Sequence, residues 1–163
     1  MTFTNRLILK PFTTRGVDVY ELLVDGTPVR DLVTDTADGD WDVPGLGVAE
    51  DNIPVLWHGR PFGVPDEVGM LLGERSPTVE GGRVPLYVCP ECGDIGCGAL
   101  TAVIERSGAH VTWRDFGWDA TGHDGEDPTR FAGGPFVFDA VQHDAELRRF
   151  AASSRAAAAN RPR

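Results

Sequence analysis

Residues 99–118 read Ala-Leu-Thr-Ala-Val-Ile-Glu-Arg-Ser-Gly-Ala-His-Val-Thr-Trp-Arg-Asp-Phe-Gly-Trp. β-Branched and aromatic residues flank Ser107-Gly108, which predicts two antiparallel strands, 99–106 and 110–118, joined by a tight turn. Period-two alternation puts Val111 and Trp113 on the core face and Thr112 and Arg114 outward. With Ser107-Gly108 as a two-residue turn, Arg106 pairs with Ala109 and Glu105 with His110. Counting down the same ladder sets Cys97 opposite Trp118, provided that no bulge intervenes.

Moving outward, Val84–Val88 reads as a third strand, and residues 79–83 before it as a glycine-rich connector. Upstream, 6–12 and 17–24 are rich in Leu, Ile, Val and aromatics and predict an opening hairpin that turns at Thr13-Thr14-Arg15-Gly16. Thr27-Pro28 opens either one helical turn or a further strand over Val29–Val33. Ile53-Pro54-Val55-Leu56-Trp57 suits a buried strand edge. Asp66–Leu72, entered through Pro65 and closed by Gly73, reads as a short helix that buries Val68, Leu71 and Leu72. Downstream, Pro135–Phe138 leads into Asp139, which forms a capping box with Gln142. A helix from Ala140 into the alanine run then turns His143, Leu147, Phe150 and Ala151 to one face. The expected fold is therefore α+β: a mainly antiparallel sheet, built from 6–24 and 84–118, with a cysteine-rich hairpin loop and a C-terminal helix packed on it. At 163 residues this is one domain over 1–157, with 158–163 a frayed basic tail.

All three cysteines fall in the loop of that hairpin, Cys89-Pro90-Glu91-Cys92-Gly93-Asp94-Ile95-Gly96-Cys97. Two thiolates three positions apart, followed by a glycine that permits a tight turn, are the grip of a zinc knuckle. Cys97, at the foot of the returning strand, supplies a third soft ligand. A closed tetrahedral site needs a fourth. His110 falls at the far end of the hairpin, about 26 Å away at ~3.3 Å per residue. His123, just past Trp118, is the preferred fourth ligand, with Asp94, Asp119 and Asp124 as oxygen alternatives. The expected metal site is thus Cys89, Cys92, Cys97 and His123, holding zinc. Two other readings remain open for the loop: small buried thiols, or a Cys89/Cys92 redox dithiol. The dithiol lacks the following helix that would lower a thiolate pKa.

Charge limits the partners. There are 25 acids against 15 bases, a net −10, which disfavours phosphate backbones and anionic membranes and suits a basic protein partner. Residues 31–51 hold seven acids and no base, either a solvated loop or a docking surface. Asp38, Asp40 and Asp42 alternate, but Ala49 stands where a calcium loop needs glutamate. No apolar stretch approaches the ~20 residues of a membrane span, and the N-terminus lacks a secretory pattern, which points to the cytoplasm. Neither a phosphate loop, a dinucleotide fingerprint nor a nucleophile elbow occurs, and His143 reads as a core-edge histidine.

The run Leu86-Tyr-Val-Cys-Pro-Glu-Cys-Gly-Asp-Ile-Gly-Cys-Gly98, then Val111–Trp118 and Gly134-Pro-Phe-Val-Phe-Asp139, resembles a group of uncharacterised small bacterial proteins, some carrying the automatic label oxidoreductase. The resemblance implies no catalytic residues. The resulting expectation is a small acidic cytosolic binding protein with a structural zinc loop. A thiol-redox protein, or an inhibitor or immunity-type protein docking a basic partner, are the alternatives. The sequence leaves the oligomeric state undefined.

Overall fold

The computed structural model describes residues 3–14, 16–34, 52–58, 65–88, 98–119 and 129–160. It is an α+β fold dominated by antiparallel sheet. The opening hairpin forms as expected, with β1 (Leu7–Thr14) and β2 (Val17–Val24) paired over their full lengths. Thr27-Pro28 divides between both readings: β3 (Thr27–Pro28) adds to β2, and α1 (Val29–Thr34) follows at once. The next elements are β4 (Ile53–Pro54), α2 (Asp66–Leu71), β5 (Arg83–Val88), β6 (Ala99–Ser107), β7 (His110–Asp119), β8 (Thr129–Arg130), β9 (Phe136–Asp139) and α3 (Ala140–Ala159).

The predicted single sheet is in fact two. β1-β2-β3 form one, and β4-β5-β6-β7-β8 form the other, with β9 also pairing to β7. Backbone bonds stitch them together at two corners. Tyr20 donates to Leu56 O at 2.8 Å, and Val19 bridges Trp57; Asn5 donates to Val137 O at 2.6 Å and bridges Phe138. Hydrogen bonding therefore runs round a ring from β1 through β2, 55–58, β5, β6, β7 and β9 back to the start of β1. A sheet closed in this way has few open edges to offer a stray strand.

The predicted ladder of the central hairpin is corrected by three positions. The turn is Gly108-Ala109, since Ser107 pairs with His110, and Gly108 has a φ of +58. Further along, two residues of β7 oppose Ala102, a bulge marked by Asp115 at φ +53. Leu100, and not Cys97, therefore faces Trp118, and Ala99 faces Asp119. The bulge also resets the alternation. Val111 and Trp113 are fully buried as expected, Asp115 is left outside, and Phe116 returns to the core.

α3 lies along β1, β7 and β9, burying His143, Leu147, Phe150, Ala151 and Ser154. Its N-cap is Asp139, which accepts from Gln142 N at 3.0 Å. The reciprocal half of the expected capping box is replaced. Gln142 Nε2 donates to Leu7 O at 2.6 Å, and its Oε1 accepts from Leu7 N at 3.0 Å, tying the helix to β1. The helix reaches Ala159, so 158 and 159 belong to it and not to a frayed tail. α2 buries Val68, Leu71 and Leu72 as predicted, and Met70 with them. No described helix is long and apolar enough to cross a membrane.

Candidate functional site

One end of the six-stranded sheet gathers the roots of several chain segments. Ile53 pairs with Val88, Val88 with Ala99, Ala99 with Asp119, and Trp118 with Thr129. The segment 89–97 thus departs from and returns to neighbouring strands, and 120–128 starts and ends one strand further on. Adjacent strands lie about 4.8 Å apart. The hairpin register fixes this convergence, and the three-position correction preserves it because β7 simply runs on to Asp119.

The proposed ligands Cys89, Cys92, Cys97 and His123, the alternatives Asp94 and Asp124, and acidic residues 35–51 all lie outside the described residues. Among the described residues, no group of three His, Cys, Asp or Glu side chains is placed to hold a metal ion. At the returning foot of the cysteine loop, Gly98 has a φ of +108, and a Cβ there would overlap the indole of Trp118. Only glycine permits both the backbone angle and the approach of that ring.

The oxygen alternative Asp119 is already engaged. It sits on the outward face of the sheet with Thr101, Arg83 and Arg130. Arg83 Nε donates to Asp119 Oδ2 at 3.0 Å and to Thr101 Oγ1 at 2.9 Å. Thr101 donates its hydroxyl to the same carboxylate, and Arg130 Nη1 approaches it at 3.3 Å. Arg83 Nη2 also donates to the carbonyls of Thr101 and Asp115. The arginine therefore caps the bulge as well as the carboxylate. Arg83 is only 4% exposed, and burial, followed by the neighbouring Arg130, pushes its guanidinium below the ordinary range against the pull of Asp119. Sequence reading left Arg83 in a connector. It is the first residue of β5, and nothing in its local pattern announces a buried cation.

Asn52, immediately before β4, stands at this same end. It is 3% exposed, its carbonyl accepts from Arg30 Nη1 at 2.9 Å, and both polar atoms of its side-chain amide lack a hydrogen-bond partner among the described residues. A buried amide with unused donor and acceptor capacity is costly and uncommon. Arg30 also binds Glu21 at 2.8 Å and covers the Tyr87 ring at 4.6 Å. Tyr87 donates to Glu21 at 2.5 Å, and burial, reinforced by that carboxylate, holds its hydroxyl well above the usual phenol range. It stays protonated as a structural donor.

The histidines divide by environment. His143 is fully buried, accepting from Trp113 Nε1 on Nε2 at 3.1 Å and contacting Asp144 from Nδ1 at 2.8 Å. With Nε2 accepting, a neutral ring carries its proton on Nδ1 and donates it to Asp144. Both nitrogens are consumed, which makes it the core histidine that the sequence suggested. His110, paired with Ser107 and Asp139, is at the opposite end of the hairpin from Ala99. His58 lies 3.3 Å from Ser153 Oγ, whose other neighbour is Tyr20 OH at 3.2 Å. His58 also stacks on Phe150.

Compared with protein-family models, with curated proteins and with solved structures, the chain matches none of them.

Proposed function

We propose that this chain is a small acidic cytosolic binding protein in which Cys89, Cys92 and Cys97, completed by His123, hold a structural zinc ion. The observation that carries the reading is the row Val88–Ala99–Asp119 with Thr129 beside Trp118. It roots the cysteine-bearing and histidine-bearing segments on adjacent strands at one sheet end. Three thiolates and an imidazole are a donor set suited to zinc. Asp119, committed to two arginines, is set aside as a ligand; His123 stays the preferred fourth donor, with Asp94 and Asp124 as the oxygen alternatives. With a net charge of −10, the natural partner is a basic protein surface.

Metal analysis of protein purified without a metal-affinity tag tests this. The expected result is about one zinc per chain, with thiols that titrate only after chelation. Less than about 0.2 zinc per chain with three freely titrating thiols overturns it. A reversible Cys89–Cys92 disulfide in zinc-free protein would replace it with thiol-redox chemistry.

A further inference from the structure

A cleft of about 490 Å³ opens between α2 and α3. Its apolar lining is Pro65, Val68, Leu72 and Ala151, and three arginines, Arg75, Arg148 and Arg155, stand round it. That concentration of cations is unexpected on a chain of net charge −10.

The walls are rigid. Glu74 N and Arg75 N both donate to Gly69 O, at 2.8 and 3.1 Å, which folds the 73–75 turn back onto α2. Gly69 has no side chain where the stem of Arg75 crosses it; a Cβ would come within 2.9 Å of Arg75 Cγ and Cδ. The guanidinium is thereby laid along the helix and meets Asp66 at 2.6 Å. Arg106 fixes the spacing of the two helices, since it donates to Leu71 O at 3.3 Å and grips Asp144 of α3 at 2.5 Å.

The charge balance selects the ligand. Arg75 and Arg148 hold Asp66 and Glu74, but all four side chains are more than half exposed. Such pairs are weak and readily exchanged for a better anion. The Arg155 side chain makes no hydrogen bond or ion pair among the described residues. A cation would meet three guanidiniums against two neutralised carboxylates. An anion would meet a surplus charge, planar donors suited to carboxylate or phosphate, and an apolar floor. The volume lies within the ~300–1,000 Å³ of small-ligand sites. We infer that this cleft binds a small amphipathic anion, with its carboxylate or phosphate head held by Arg148 and Arg155 beside Arg75 and its apolar body on Val68, Leu72 and Ala151.

Phenyl phosphate is the probe, with phenol and inorganic phosphate as its two halves, followed by amide chemical shifts in the full chain. Saturable shifts centred on Gly69, Leu72 and Ala151 are expected. Affinity should drop at least tenfold in R148A/R155A and weaken in 0.5 M salt, and each half should bind at least tenfold more weakly than the whole. Arg114→Ala, at a half-exposed arginine of β7, should leave phenyl phosphate binding unchanged. Because both cleft arginines are exposed, unshifted amides elsewhere confirm that the double variant remains folded. Overturning results are no saturable shifts, shifts centred elsewhere, equal affinity in R148A/R155A, or either half binding as tightly as phenyl phosphate.

Discussion

Two charged clusters flank the central hairpin, and they differ in what they leave open. At the seam of α3, Trp113, His143, Asp144 and Arg106 form a closed chain of donors and acceptors between β7, α3 and β6. On the outward face, Arg83, Thr101, Asp119 and Arg130 form a similar chain, but it stands at the end of β7 from which the 120–128 segment departs. The seam is a finished lock that joins helix to sheet. The outward cluster is a foundation, holding the bulge and the strand ends from which the cysteine and His123 segments spring.

The difference predicts unequal responses to substitution. Arg83→Met should be the most damaging. It leaves the half-buried Asp119 without its closest cation and the Asp115 carbonyl without a donor, and should cost about 3–5 kcal/mol in denaturant unfolding. It should also lower zinc retention if the outward cluster supports the loops. At the seam, His143→Leu should cost about 2 kcal/mol, by stranding the Trp113 indole N–H in the core, and should leave zinc content unchanged. Equal effects of the two variants on zinc would erase the distinction between lock and foundation.

Acidity probes the seam. Burial lowers the His143 pKa against the pull of Asp144, so the unfolded chain binds the proton first. Stability contributed by this ring is complete above the unfolded value of about 6.5 and is lost as pH falls below it. Asp144 and Glu146 add to the loss at lower pH. Burial is the largest single influence and raises each carboxyl, but hydrogen bonds and charges together outweigh it, from Arg106 and His143 on Asp144 and from Arg149 and the Leu9 N–H on Glu146, so both lie below their ordinary range. Their stabilisation fades as pH drops through about 4. Thermal melts between pH 7 and 5 should show a decline in wild type that His143→Leu abolishes.

Smaller effects refine the comparison. Gly98→Ala should cost about 1–2 kcal/mol, from its positive φ and the Trp118 ring, and should disturb the loop root more than α3. Asp139→Ala removes the N-cap of α3 and should cost about 1 kcal/mol, without touching the loops.

Much of the frame was legible in the residues. Alternation at Val111 and Trp113, the opening hairpin, Gly73 closing α2 and the apolar face of α3 are local patterns, and each appears where the sequence put it. The pairing of strands was less so. A turn moved to Gly108-Ala109 and a bulge at Asp115 shifted the ladder by three positions, because bulges depend on what the partner strand and the core require. Two sheets instead of one, the Gln142 grip on Leu7 and the buried Arg83 are long-range outcomes with no short-range signature. The arginine cleft is similar: Arg75 is more than seventy positions from Arg148, and only the tertiary fold brings them to one cleft.

The central claim concerns what the sheet end supports. Zinc-edge X-ray absorption on tag-free protein measures it most directly. Three sulfurs at about 2.3 Å and one nitrogen at about 2.0 Å are predicted, with the nitrogen lost in His123→Ala. An edge showing only oxygen and nitrogen neighbours, or a His123→Ala spectrum identical to wild type, would contradict the proposed ligand set.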